Sequence, residues 1–387
     1  MKKCLSIILL MLSIFSLTAC TSLFETASNG NNYEGKSEEN VIKIGVFEPQ
    51  TGRDAEGGKE SVLGVQYAHK KNSTITLNDE KYKVKLIVKD NKSTYNGGLA
   101  AAEELVNEGV CAVIGSYSAE ALKGAYEVFE NAGIPVISPL YASEYKSNKE
   151  SLIFSLTPTV YEEVSFVADY MINTLKISKA SIFCNVEDSL CTAYSLLFKE
   201  AFNKYGGETV TENFEGGGAD YNKLIESVKK NKSYAVYAPL SSEKMKILTD
   251  SAILNKLAVP VFTSKYFKTN ELKNYVSGKN INIFAPSFLE LSAYGDFYVN
   301  LTEWIEKDED RIYLNGGSKA TALNLLSCDA YSLLTAAIKQ ASSYLSEDII
   351  TALCTISFTT GSGEVSFDNN GNRLEFRAFI AKTDTTP

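Results

Sequence analysis

The chain has 387 residues, 44% of them hydrophobic, and a formal net charge of −9. That length exceeds a usual domain of about 100–150 residues, so more than one core is expected. The acidic balance disfavours nucleic acid as a partner, because phosphate binding needs clustered Lys and Arg; solubility is the plain reading of the charge.

Lys2 and Lys3 open the chain, and an apolar run over 5–17 follows, broken only by Ser6, Ser13 and Ser16. It ends in Leu17-Thr18-Ala19-Cys20. These are the flanks and length of a secretory signal, short for a membrane span. Leu-Thr-Ala-Cys resembles the lipobox of bacterial lipoproteins, which makes Cys20 the expected lipidation site; an incidental Cys after an ordinary signal is the alternative. Residues 21–40 are polar and read as a flexible tether. The expected location is extracytoplasmic, with the body lipid-anchored at the membrane surface.

From residue 41 short β-rich runs alternate with amphipathic helices. Strands are expected at 41–47, 82–89, 111–115 and 135–137, and helices at 60–70, 97–108 and 118–132. A second array places helices at 161–174, 191–205, 221–230 and 241–255 between strands at 180–184, 208–214, 234–238 and 259–262. Alternating units with short, wholly apolar strands predict parallel sheets covered on both faces. The fold class is therefore α/β, with two similar doubly wound lobes. The tail breaks the rhythm: a strand at 281–285, helices at 293–307 and 319–342, and a hairpin turning at 368–372 between 365–367 and 376–381.

Little in the sequence suits catalysis. His69, the one histidine, lies in an apolar-patterned helix and reads as structural, which disfavours zinc and His-based acid/base chemistry. Gly216-Gly217-Gly218 and Gly361-Ser362-Gly363 fit neither a phosphate loop nor a nucleophile elbow. The pairs Glu103-Glu104 and Glu162-Glu163 read as solvated helix faces. No cofactor, metal or enzymatic activity is expected. Five cysteines follow Cys20; Cys184 and Cys191 flank one loop and either form a disulfide or remain buried thiols.

Several stretches resemble, in order, the type I periplasmic binding proteins of the branched-chain amino-acid (leucine-binding) group. They are 42–46 (IKIGV) with Thr51-Gly52, 113–116 (VIGS), 132–139 (AGIPVISP), 154–158 (FSLTP), 198–208 (FKEAFNKYGGE), 219–221 (ADY) and 361–371 (GSGEVSFDNNG). The resemblance covers about residues 41–382. It implies three crossovers, near Thr157, Pro286 and Thr360. Lobe one would join 41–156 to 287–359, and lobe two 157–286 to 360–387. It also implies hinge closure on a small solute and handover to a separate ABC permease and its ATPase. A ligand sensor, or a degenerate binder not coupled to transport, is the alternative.

Ligands of doubly wound sheets sit beyond the carboxyl ends of the strands. That selects Thr51 and Arg53 in the first loop, Ser116, Tyr117 and Ser118 in the next, and Tyr141 and Ser143 in a third. Lobe two would supply Asn185, Ser189, Ser241, Lys265 and Tyr266. The helix following Ser118 offers free N–H groups to an anion, with the Ser118 hydroxyl as a donor or merely a cap. The sequence departs from the amino-acid binders at Ala119 and Ala142, where Ser and Thr are usual, and at Gly57, Ser189 and Ser241, where aromatics are. Lys265 stands where an acid would hold the ligand ammonium, so an acid lacking a free amine is one expected ligand.

Overall fold

A computed structural model describes residues 40–140, 151–215, 219–265, 270–361 and 363–382. Two six-stranded sheets organise them, each parallel apart from one edge strand. The first contains β1 (Val41–Glu48), β2 (Thr74–Leu77), β3 (Glu80–Asp90), β4 (Ala112–Ile114), β5 (Val136–Ser138) and β6 (Ile153–Ser155) in the order β2-β3-β1-β4-β5-β6. The second contains β7 (Lys179–Asn185), β8 (Glu208–Phe214), β9 (Ala235–Tyr237), β10 (Val261–Phe262), β11 (Ile283–Ser287) and β14 (Phe379–Lys382) in the order β14-β11-β10-β9-β7-β8. β12 (Phe358–Thr360) and β13 (Gly363–Val365) form a separate hairpin.

The sequence of β4 and β5 explains the layering. Every residue of both strands is buried, so each sheet face must be covered by helices. In the first array those are α1 (Ala55–Lys71), α2 (Tyr95–Asn107) and α3 (Ala119–Asn131). Phe47 meets Phe129 edge-on at 5.5 Å, inside a cluster that also holds Leu105, Val113 and Val136. In the second array they are α4 (Val160–Asp169), α5 (Ser189–Lys204), α6 (Tyr221–Asn231), α7 (Ser242–Leu254) and α8 (Asn270–Val276). Thr159 and Glu162 form a reciprocal capping box that starts α4 immediately after the first strand array.

The tail helices are α9 (Asp296–Glu306), α10 (Glu309–Leu314), α11 (Ala322–Ala341) and α12 (Ser346–Thr355). α11 returns to the first array. Its Asn324 side chain donates to the Glu60 carbonyl at 2.7 Å, and Thr321 Oγ1 donates to the Glu60 carboxylate at 2.8 Å. Tyr331 donates to the Asn72 carbonyl at 2.6 Å and lies 3.1 Å from His69 Nδ1, which gives the lone histidine the structural place expected of it.

The expected βα arrays are present; the tail differs. Phe367 and Arg373 make only an isolated bridge, because Asp368 folds the intervening turn onto itself by accepting the Asn370 and Asn372 N–H groups. Phe379–Lys382 does not pair with 365–367 but runs antiparallel to β11, covering an otherwise open sheet edge. Helices α8, α10 and α12 and strands β2, β6 and β12 were not expected. Cys184 and Cys191 are buried thiols, with the Asn185 N–H directed at Cys191 Sγ at 3.3 Å. No described helix is long and apolar enough to cross a membrane.

Candidate functional site

Parallel register brings the strand ends of the first sheet level. Glu48, the last residue of β1, stands opposite Asp90, the last residue of β3. Each carboxylate builds a loop. Asp90 accepts the N–H groups of Gln50, Thr51 and Lys92 at 2.8–3.3 Å and the Thr51 hydroxyl at 2.7 Å. Burial alone would raise its pKa, but these donors hold it below the usual carboxylate value. Glu48 is fully buried, takes the Tyr117 N–H at 2.6 Å and the Ser61 hydroxyl at 2.7 Å, and is pushed up to about 8 by desolvation.

The loop after β4 is held equally firmly. Ser116 is buried, and its hydroxyl accepts from the Asn91 side chain and the Ser118 N–H, each at 2.9 Å. Ser118 occupies the N-cap of α3 but makes no capping bond; its hydroxyl donates to Asp54 at 2.6 Å. The Ser118 hydroxyl expected to face a ligand anion is thus engaged by Asp54, and the Tyr117 and Ser118 N–H groups by Glu48 and Ser116, while the first turn of α3 has no side-chain cap. A Cβ on Gly57 would fall 2.4 Å from the Tyr117 ring, so the missing side chain there is what admits that ring.

On the opposite side Asp188 caps α5, accepting the N–H groups of Leu190 and Cys191 at 3.1 and 3.2 Å. Its other oxygen lies 3.7 Å from Arg53, which also pairs with Asp54 at 3.0 Å. The Arg53–Asp188 pair therefore joins the strand-end loops of the two sheets. Between these loops lies a cleft of about 510 Å³. Of the expected site residues, Arg53, Tyr117, Ser189 and Ser241 line it. Thr51, Ser116, Ser118 and Asn185 are not among its lining; each makes hydrogen bonds within the strand-end loops. Tyr141, Ser143 and Tyr266, like Cys20, the signal and most of the tether, lie outside the described residues.

Lys265 departs from expectation. It is 4% exposed, and its ammonium donates to Thr157 Oγ1 at 3.0 Å and the Pro158 carbonyl at 2.9 Å, 3.6 Å from Glu163. The Lys265 N–H donates to the same carboxylate at 2.8 Å. A desolvated ammonium needs such a counter-charge, and Glu163, read from sequence as a solvated helix face, is completely buried to supply it. Burial moves the two in opposite directions: Glu163 rises, and Lys265 falls to about 8 despite its partner. Lys265 borders a separate cavity of about 30 Å³ together with Tyr117, Thr157 and Phe288. Tyr194, which lines the larger cleft, donates to Glu163 at 2.7 Å and links that wall to the buried pair.

Sequence reasoning passed over most of the charged lining. Asp54, Glu56, Glu120, Asp188, Glu243 and Lys246 all border the cleft. The signal was present in part, since Asp188 immediately precedes a helix and its N-cap role places it at a strand-end loop. Among the described residues no group of His, Cys, Asp or Glu is arranged to hold a metal ion.

Residues 41–243 match the Periplasmic binding protein family. An amino acid binding protein of Pseudomonas aeruginosa is 26% identical over 200 residues, which are 51% of this chain and 53% of that relative, so the match spans about half its length. Three solved structures share the fold. The leucine binding protein LivK of Thermotoga maritima has a TM-score of 0.76 at 20% identity, over 88% of this chain and 95% of its own. A solute binding protein of an ABC transporter from Rhodopseudomonas palustris, in complex with 3,4-dihydroxybenzoic acid, has a TM-score of 0.72 at 18% identity, over 89% and 93%. The branched-chain amino acid transporter substrate binding protein LivJ of Streptococcus pneumoniae, in complex with isoleucine, has 0.69 at 20%, over 88% and 99%.

Proposed function

The chain belongs to the periplasmic binding protein family, and from that premise we propose that it captures a small organic solute between its two lobes and delivers it to an ABC importer. The observation that carries this reading is the cleft of about 510 Å³ between strand-end loops of both sheets, a volume in the range of small-molecule sites. Its walls are preorganised by the Asp90, Glu48 and Asp188 hydrogen bonds, so a solute meets fixed donors and acceptors. The crossovers near Thr157, Pro286 and Thr360 act as the hinge, with lobe one formed by 41–156 and 287–359 and lobe two by 157–286 and 360–387. Closure requires a solute that contacts both lobes, because only differential contact shifts an open–closed equilibrium.

The ligand classes named for the relatives, amino acids and aromatic acids, make an amino acid or related carboxylate the starting candidate. Lipid on Cys20 would hold the protein at the membrane beside its permease and ATPase. A thermal-shift screen of the full chain against amino acids, aromatic acids and amines tests solute capture, since a ligand bound only by the folded state raises Tm by mass action. Replacing Cys20 by Ala should move the protein from the membrane to the soluble fraction, and retention at the membrane would remove the anchoring proposal.

A further inference from the structure

We infer that the interlobe cleft selects solutes carrying net positive charge, such as a basic amino acid or a diamine; this rests on the solute-binding reading above. Among the described residues five carboxylates border the cleft, those of Asp54, Glu56, Glu120, Asp188 and Glu243, against two cations, Arg53 and Lys246. Arg53 is paired within the wall. It lies 3.0 Å from Asp54 and 3.7 Å from Asp188, and Glu120 also acts on it electrostatically. Lys246 sets its ammonium over the Tyr275 ring, 5.8 Å from the centroid.

The loop that leads into α3 is already partly engaged. The Tyr117 N–H is taken by Glu48, the Ser118 N–H by Ser116, and the Ser118 hydroxyl by Asp54. An incoming anion would meet the Asp54 and Glu120 carboxylates beside these occupied donors. Lys265, the cation that from sequence favoured an anionic ligand, is buried against Glu163 and does not border this cleft. The charge imbalance of the described lining favours an ammonium or guanidinium entering between the lobes. Low-dielectric walls strengthen that preference, because clefts of one sign focus their field on the ligand.

Calorimetry on the detergent-purified full chain tests this with L-lysine, L-arginine, putrescine, L-norleucine, L-leucine and benzoate. Lysine and norleucine are the decisive pair, since they share a side-chain shape and differ by one ammonium. Lysine is expected to bind at least about tenfold more tightly at low ionic strength, with the ratio shrinking as salt screens the cleft. The double substitution Glu120→Gln with Glu243→Gln, on side chains that are not buried, should lower that ratio with only a small fall in Tm from the loss of two first-turn helix acids. Norleucine, leucine or benzoate binding as tightly as lysine would overturn the charge inference and leave solute capture intact. Failure of every solute to bind would overturn both. A lysine preference unmoved by salt and by the double substitution would also refute charge selection by this lining.

Discussion

Replacing Glu48 by glutamine isolates the energetic role of the carboxyl beneath the Tyr117 loop. The buried group is held at about 8 against an ordinary 4.5, so the folded protein keeps a proton that the unfolded chain releases. Its folded pKa is raised; its contribution is therefore full below about pH 4.5, falls through the interval, and is lost above about 8. At about 1.4 kcal/mol per tenfold, the difference between 4.5 and about 8 corresponds to roughly 5 kcal/mol across that window. Glutamine mimics the protonated state: its carbonyl can accept the Tyr117 N–H while its amide donates to Ser61. The Ser61 hydroxyl can then turn to Ser327, 2.9 Å away. Urea-unfolding free energies of both proteins at pH 5, 6, 7 and 8 are the assay. Groups titrating in both cancel in the difference, so Glu48→Gln should gain several kcal/mol on the parent between pH 5 and 8. Parallel pH profiles would refute the reasoning.

Three further outcomes follow from the geometry. Lys265→Met and Glu163→Gln should each cost about 3–5 kcal/mol in urea denaturation, while the double variant recovers most of the loss, because a buried charge without its partner is worse than neither. Gly57→Ala drives a methyl against the Tyr117 ring, and overpacking of that kind should cost about 1–3 kcal/mol and weaken solute binding in the same preparation. Arg53→Ala should change unfolding free energy by less than about 1 kcal/mol, since its side chain is 46% exposed, yet change solute affinity measured by calorimetry.

The parallel sheets were legible because β4 and β5 are short and wholly apolar, a pattern that few environments other than a covered sheet satisfy. Strand ends in turn pointed to the loops that carry Arg53, Tyr117, Ser189 and Ser241, which line one cleft. Side-chain direction was less accessible. Ser118 and Lys265 sit in such loops, but whether each faces the cleft depends on acceptors far away in sequence: Asp54 for one, Glu163 and Thr157 for the other. Local charge patterns could not show that Glu163 is buried, since its neighbour Glu162 has the same chemistry and serves instead as a capping-box partner. The tail misled for a similar reason. Asp368-Asn369-Asn370-Gly371 has the residues of a tight turn, but the partner of Phe379–Lys382 was a strand nearly a hundred positions earlier.

That last pairing bears on the timing of folding. β14 borders β11 at the edge of the second sheet, and α11 packs its Asn324, Thr321 and Cys328 side chains on α1. A polypeptide delivered N-terminus first therefore exposes both nearly complete arrays before their last elements arrive. Until then the first array lacks a covering helix and the second has a free row of N–H and C=O groups along β11. Loss of the tail would therefore uncover both halves at once, which makes C-terminal truncation costly to each.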